Sequence, residues 1–145
     1  MTFAADFSQV NAEIAILLSR LADPVPFFDF VGDHEKHAIR ERIMSTKQDP
    51  DGKDWIPWAP YTAEKRDLSG TLARGIMWET GTLLDSVQSE VDGAFGVDIG
   101  TDVWYAEQHQ EGRGKIPRRQ IFGWETNMLP VYAQAFATFL ETGKI

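Results

Sequence analysis

Apolar side chains recur every three or four residues at the start of the chain. The apolar residues in this stretch are Phe7, Val10, Ile14, Leu17, Leu18 and Leu21. This spacing places them on one face of a helix, which is predicted over Asp6 to Leu21. Asp23-Pro24 ends that helix, because a residue that precedes proline is displaced from the helical region.

A second helix is predicted from about Pro26 to Met44. Its apolar side contains Phe27, Phe30, Val31, His34 and Ala38, with Ile43 near the end. The residues expected on its solvent-facing side are Glu35, Lys36, Arg40, Glu41 and Arg42. We expect the first two helices to form an antiparallel or angled pair.

The central stretch has no regular hydrophobic period. Asp49-Pro50-Asp51-Gly52 is typical of a turn, because proline presets one dihedral angle and glycine adopts the positive one. Prolines and tryptophans then alternate in Trp55-Ile56-Pro57-Trp58-Ala59-Pro60. Proline cannot donate to a central strand, so an extended arm is predicted over residues 46–75.

Strict alternation of apolar and polar residues begins at Val87. Val87, Ser89 and Val91 alternate with polar neighbours, and Phe95, Val97 and Ile99 alternate after the turn at Gly93. This pattern predicts a β-hairpin, whose apolar face the N-terminal helices are expected to cover. Before the hairpin, a short strand is predicted at residues 76–78 and a helical turn at residues 80–86 with a threonine cap.

The last third predicts two more helices. A short helix is expected over Trp104 to Gln110, ending at Gly112, and a helix over Met128 to Glu141 tolerates Pro130 in its first turn. Residues 113–123 between them form a loop with a possible strand at Gln120 to Phe122. The fold class is therefore α+β, with N-terminal helices and a C-terminal helix packed on a small, mostly antiparallel sheet and a long irregular central loop.

Length, cysteine content and charge restrict the classes of protein to which this chain can belong. A chain of 145 residues suits a single domain over residues 1–145, with a helical part (1–45), an arm (46–75), a β-rich core (76–123) and a C-terminal helix (124–145). No cysteine is present, which excludes disulfides and thiolate chemistry. The net charge of −8 argues against general nucleic-acid binding. The apolar run Ile14 to Leu18 is too short for a signal segment, so no membrane targeting is expected.

The three histidines are the main candidates for catalysis. His34 and His37 are three residues apart, whereas the helical zinc motif needs histidines four apart. Glu107 and His109 are two apart and do not share a helix face. We therefore predict no catalytic residue, metal or cofactor, and a small acid/base or metal-dependent hydrolase that uses the histidines stays an alternative.

Two groups of residues are candidates for partner contacts. Trp55, Trp58 and Tyr61 either fill the core or form a rigid docking arm, since aromatic anchors carry much of the energy of interfaces. The second group is the basic cluster of Arg113, Lys115, Arg118 and Arg119, which forms either a solvated loop or a contact for an acidic neighbour.

Four blocks of sequence, in this order and spacing, resemble the phage virion morphogenesis, or tail completion, family of Mu-like tailed phages. The blocks are Asp49 to Lys53 with Trp55 to Pro60, Thr80 to Val87, Tyr105 to Gly112, and Gly114 to Gly123. The resemblance marks a set of structural residues, of which Tyr105 and His109 would pack the short helix against the sheet. The set is Gly81, Leu83, Tyr105, His109, Gly112 and Pro117.

The resemblance implies a structural protein and no enzyme. It implies a tail completion or neck component at the head–tail junction of the virion, assembled in the host cytoplasm as a ring of identical copies. The implied partners are other copies, neck or connector proteins, and tail-terminator or tail-tube proteins. DNA would at most pass through the lumen without specific binding. A monomeric adaptor that binds through the Trp/Pro arm is a second alternative.

Overall fold

The computed structural model describes residues 8–93, 95–125 and 127–145. In chain order the elements are α1 (Ser8–Ala22), α2 (Val25–Glu41), a π-helical turn (Arg42–Thr46), α3 (Pro60–Leu68), a 3-10 turn (Leu72–Arg74), α4 (Thr82–Ser86), β1 (Gln88–Asp92), β2 (Gly96–Gly100), α5 (Trp104–Glu111) and α6 (Leu129–Thr142). The predicted α+β class is confirmed. Asp6 and Phe7 of the predicted first helix lie outside the described residues.

Strands β1 and β2 form an antiparallel hairpin that α2 covers. Val91 lies opposite Val97, and Ser89 opposite Ile99. The backbone of α2 comes so near at Gly32 that a Cβ there would lie 2.9 Å from Cγ2 of Val97 and 3.0 Å from Cβ of Ser89. The predicted cover of the hairpin by the N-terminal helices is thus met by α2.

The described residues form two apolar clusters. One joins α2 to α6, and its buried members are Phe27, Val31, Tyr132 and Phe139. The other joins the end of α2 to the irregular chain, and its buried members are Ile39, Ile43, Trp55, Leu83, Val87, Ala106 and Ile121. Helix α2 contributes to both clusters, so it connects the two halves of the subunit.

Helix α1 does not pair with α2 as predicted. Its contacts are with α6, where the guanidinium of Arg20 donates to the carbonyl oxygens of Leu140 at 2.6 Å and Glu141 at 2.5 Å. These carbonyls end α6 and have no partner within the helix, which is why a cation binds there. The apolar side of α2 is already covered by α6 and the hairpin.

The predicted arm is wrong for residues 60–68, which form α3. Pro60 occupies the first turn of that helix, a position where the missing N–H costs nothing. Residues 76–78 form a turn rather than a strand. Helix α4 begins after Gly81, whose φ is +95°, so the threonine cap is also wrong. The Thr80 hydroxyl accepts a 3.3 Å bond from the Thr82 amide and shares a 2.7 Å hydrogen bond with the Thr82 hydroxyl.

The possible strand at Gln120 to Phe122 is absent. These residues have no regular secondary structure, Phe122 lies in a bend, and no strand pairs with them among the described residues. Side chains from elsewhere in the chain supply their hydrogen bonds. The predicted short helix ending at Gly112 and the predicted C-terminal helix are confirmed as α5 and α6.

Candidate functional site

One cleft of about 560 Å³ collects residues from four separated parts of the chain. We call it the motif cleft. Its lining comes from residues 58–66, 77–83, 105–109 and 115–119, and includes Trp58, Trp78, Gly81, Leu83, Tyr105, His109, Lys115, Pro117 and Arg119. All four sequence blocks that resemble the tail completion family contribute residues to this cleft.

The side chain of Arg119 connects one wall of the cleft to the chain behind it. It is only 4% exposed. Its Nε donates to the carbonyl of Ile56 at 2.7 Å, and its Nη2 donates to the carbonyl of Pro57 at 3.0 Å. These carbonyls lie in a proline-containing segment outside any sheet, so a side chain has to satisfy them.

The imidazole of His109 lies against the same guanidinium. Nη1 of Arg119 is 3.3 Å from Nδ1 of His109. A guanidinium only donates, so Nδ1 accepts and the neutral ring carries its proton on Nε2. Burial lowers the pKa of His109, and the nearby positive charge of Arg119 lowers it further. Burial also lowers the pKa of Arg119.

Helix α5 holds the neighbouring extended chain through a glutamine. Oε1 of Gln110 accepts from the amides of Ile121 at 2.7 Å and Phe122 at 2.9 Å, and its Nε2 donates to the carbonyl of Phe122 at 2.8 Å. On the other side, Nε1 of Trp55 donates to the carbonyl of Gln120 at 3.0 Å. These bonds replace the strand that was predicted here.

Gly112 allows the chain to turn from α5 into the loop. Its φ is +72°, and a Cβ would lie 2.8 Å from the backbone nitrogen of Arg118. Both the backbone conformation and the space therefore require glycine at this position.

The opposite wall of the cleft depends on Lys47. Its Nζ donates to the carbonyls of Ile43 and, at 3.0 Å, Ile76, and lies 5.8 Å from the centre of the Trp78 ring. Burial lowers the pKa of this lysine. The cation holds the turn that presents Trp78 to the cleft.

The predicted interface residues divide into buried and exposed sets. Trp55 is 5% exposed and belongs to the core, and Arg119 is buried as described. The hypothesis that Trp55 and Arg119 are exposed contact residues is therefore wrong, because both side chains are buried within the subunit. Trp58 is partly buried in the cleft wall and Tyr61 is 78% exposed, so their partner contacts stay a prediction.

Much of the basic cluster is bonded within the subunit. Arg113 contacts carboxylate oxygens of Glu107 and Glu111, each at 2.6 Å. Arg118 donates to the carbonyl of Gln110 at 3.2 Å and to the side chain of Gln120 at 3.0 Å. Lys115 is exposed at the cleft. Contact of this cluster with an acidic neighbour stays a prediction.

The structural residues marked by the resemblance mostly come together. Five of them, Gly81, Leu83, Tyr105, His109 and Pro117, line the cleft, and Gly112 lies behind it. Tyr105 packs against the second apolar cluster, whose margin includes Ile99 of the hairpin. His109 contacts Arg119 of the loop, and this contact explains its position better than packing on the sheet.

The prediction that Glu35 and Arg42 lie on the solvent-facing side of the second helix is wrong. They are 2% and 3% exposed. Arg42 donates to the carbonyl of Ile121 at 3.1 Å and binds Oε1 of Glu125 at 2.9 Å. Glu35, Ile39 and Arg42 follow the helical spacing of four and three, so they share one face, and that spacing was the available signal.

Glu35 has a partner on α6. Its Oε1 accepts from the hydroxyl of Tyr132 at 2.5 Å, and that hydroxyl lies 2.8 Å from Nδ1 of His34. Burial raises the pKa of Tyr132, and the hydrogen bond and charge of Glu35 raise it further. The tyrosine therefore remains a hydrogen-bond donor at all ordinary pH values.

The histidines do not share one network. His34 contacts Tyr132, His109 contacts Arg119, and His37 is exposed on α2. Within residues 8–93, 95–125 and 127–145, no group of three or more His, Cys, Asp or Glu side chains could hold a metal ion. Across the same residues, every helix falls short of the length and apolar character needed to span a bilayer.

Comparison with known proteins gives one match. A family model described as the phage virion morphogenesis family matches residues 5–131, which is most of the chain. No curated protein matches, and no solved structure matches.

The first prediction concerns Arg119. Replacing it with methionine (Arg119→Met) leaves the carbonyls of Ile56 and Pro57 without a donor, so we expect the free energy of unfolding to fall by about 2–4 kcal/mol in urea denaturation. The matched control is Arg118→Met, whose side chain is exposed, with an expected change below about 1 kcal/mol. Equal losses in the two variants would contradict the role of Arg119.

The second prediction concerns the pH dependence of stability. The pKa of His109 lies below its ordinary value of 6.5 in the folded chain, so below that pH the unfolded chain binds a proton that the folded chain rejects. Stability should therefore fall between about pH 7.5 and pH 5.5. His109→Gln should reduce this fall, as measured by urea denaturation at three pH values. At pH 8, where the imidazole is neutral, the difference in unfolding free energy between wild type and variant gives the cost of the substitution itself. If stability falls with decreasing pH equally steeply in both proteins, the prediction is wrong.

Proposed function

Since the chain belongs to the phage virion morphogenesis family, we propose that it completes the tail or forms part of the neck at the head–tail junction of a tailed phage. Family membership indicates a structural role in phage assembly. The head–tail position is our proposal. Under this proposal the protein acts by binding other virion proteins in a fixed order. Some surfaces of the subunit are then covered only when the virion assembles.

The hydrogen bonds that the motif side chains make within the subunit support this proposal. The one histidine that lines the cleft is engaged with the protein itself: Nδ1 of His109 accepts from Arg119, and Arg119 also donates to two backbone carbonyls. A catalytic base needs access to the proton it removes, which this arrangement of Nδ1 does not offer. The motif thus builds a rigid wall, a property that suits an assembly subunit.

We further propose that several copies form a ring. Identical subunits that contact head to tail close into a ring when the rotation between neighbours allows it. The partners in this proposal are other copies, neck or connector proteins, and tail-terminator or tail-tube proteins. The motif cleft, with exposed Lys115 and the nearby ring of Tyr61, offers contacts for one such partner.

Exposed acidic residues on the hairpin support the proposal that the ring has an acidic channel. Glu90 lies directly opposite Asp98, and both are exposed. Like charges in opposite positions destabilise a hairpin, so this pair is unfavourable in the isolated subunit. On the wall of a lumen, the same charges would prevent DNA phosphates from adhering. A ring structure that places Glu90 and Asp98 on the outside would contradict this part of the proposal.

The proposed role predicts a definite defect. When an early stop codon is placed in this gene alone, in the phage or prophage that carries it, filled heads and separate tails should accumulate unattached. Electron microscopy of lysates checks this, and a plasmid copy of the gene should restore joined particles. Normal joined particles without the plasmid would overturn the head–tail role. Normal joining with one copy per particle in the wild type would favour the monomeric adaptor instead.

A charge reversal at the cleft tests its part in joining. Lys115→Glu, supplied from the plasmid, should reduce the number of joined particles at least tenfold, because it reverses the exposed charge that faces a partner. Lys53→Glu reverses another exposed lysine, which follows the 49–52 turn and does not line the cleft, and is the matched control. Both variants should unfold at the wild-type urea concentration. Full joining with Lys115→Glu would exclude the cleft lysine from the contact.

A further inference from the structure

Helix α1 carries an apolar surface that the described part of the subunit leaves about half exposed. It has no buried residue. Its large apolar side chains keep 41% to 59% of their surface exposed, and they are Val10, Ile14, Ile16, Leu17, Leu18 and Leu21. All but Ile16 fall on one side of the helix, where they form a stripe without charge. We call these five residues the α1 stripe.

A second apolar surface lies elsewhere on the same subunit. It is a groove of about 360 Å³ between the start of α2, the tip of the hairpin and the start of α6. The residues that line it are Phe27, Phe28, Val31, Phe95, Gly96, Val97, Trp124, Leu129 and Tyr132. Three of them are widely exposed, Phe95 at 78%, Leu129 at 61% and Trp124 at 50%. We call this the hairpin groove.

We propose that the α1 stripe of one copy docks in the hairpin groove of a second copy of this chain. This assigns the contact between neighbouring subunits and rests on the proposed ring. The two surfaces differ in shape, since one is a convex helix and the other a concave groove. A contact between two different surfaces is heterologous and joins copies head to tail, which a closed ring requires.

The size and the uncharged character of the two surfaces suit a contact between copies. Five large aliphatic side chains, each about half exposed, offer on the order of 500 Å², which is about half of a small specific interface. Two copies repel each other through a net charge of −8 each. Contact through two uncharged surfaces brings no ionised side chain of the stripe against the partner.

One end of α1 is fixed on its own subunit. Arg20 joins the end of α1 to Leu140 and Glu141, the last turn of α6. Leu129, which lines the groove, is at the first turn of α6, about 16 Å away at the rise of a helix. Helix α1 has 15 residues and is long enough to span that distance, so a test of the contact has to distinguish docking within one subunit from docking between two copies.

Cysteine cross-linking tests the contact, because the chain has no cysteine of its own. Two variants, Leu18→Cys on the stripe and Leu129→Cys in the groove, are purified, mixed at high concentration and treated with a short bis-maleimide. Both positions are more than half exposed, so neither change should affect folding. We expect at least tenfold more covalent dimer in the mixture than in either variant alone. The double variant should give a ladder of multimers.

The matched control is Ser19→Cys, mixed with Leu129→Cys. Ser19 is on the side of α1 opposite the stripe, so this mixture should give no more dimer than the single variants. Dimer from Leu18→Cys alone would indicate α1 pairing with α1 and overturn the proposal. Cross-linked monomer from the double variant would place α1 in its own groove and also overturn it. Absence of any cross-link would leave the stripe to a different protein and overturn it as well.

The outcome is independent of the head–tail role. If the stop-codon phage joins heads to tails normally but the mixed variants cross-link, the head–tail role fails and the contact between copies remains. If joining fails without the protein but the variants do not cross-link, the role remains and the contact proposed here fails.

Discussion

The buried guanidinium of Arg119 is the interaction on which the rest of the subunit depends. It reaches from the loop after α5 to two backbone carbonyls in the Trp/Pro segment and to the ring of His109. A two-stranded hairpin is too small to form a core alone. The segment after Trp55 has no strand beside it. The Arg119 side chain therefore supplies hydrogen bonds that a neighbouring strand would otherwise supply.

Other polar side chains act in the same way along the irregular chain. Arg42 binds the carbonyl of Ile121, Gln110 binds the amides of Ile121 and Phe122, and Lys47 binds the carbonyl of Ile76. Buried polar groups of this kind cost much when a partner is lost and fix one arrangement when all partners are present. These side-chain bonds hold the irregular chain around the motif cleft, where little regular structure supports it.

Sequence periodicity predicted the elements that depend on local pattern. The hairpin, α5, α6 and most of α2 follow from alternation or helical spacing. Helix α3 was missed because the prolines of the Trp/Pro segment exclude a central strand and an extended arm was predicted instead, although a first-turn proline such as Pro60 is compatible with a helix. The burial of Glu35 and Arg42 was missed because charge suggested solvent, and their partners Tyr132 and Glu125 are more than eighty residues away. The motif cleft could be anticipated from the sequence only through the family resemblance, since no local pattern shows that the four blocks lie together in the fold.

The packing of α2 against α6 has a consequence for how the protein is made. Phe27 and Val31 share their apolar cluster with Tyr132 and Phe139, which the ribosome adds more than a hundred residues later. Until α6 has been synthesised, Tyr132 and Phe139 cannot cover this face of α2, so the cluster forms only after α6 has left the ribosome. Contacts so distant along the chain also slow folding, because the intervening loop must close before they form. During that interval Phe27 and Val31 lack these partners, so the order of synthesis leaves an apolar face of α2 exposed until α6 arrives.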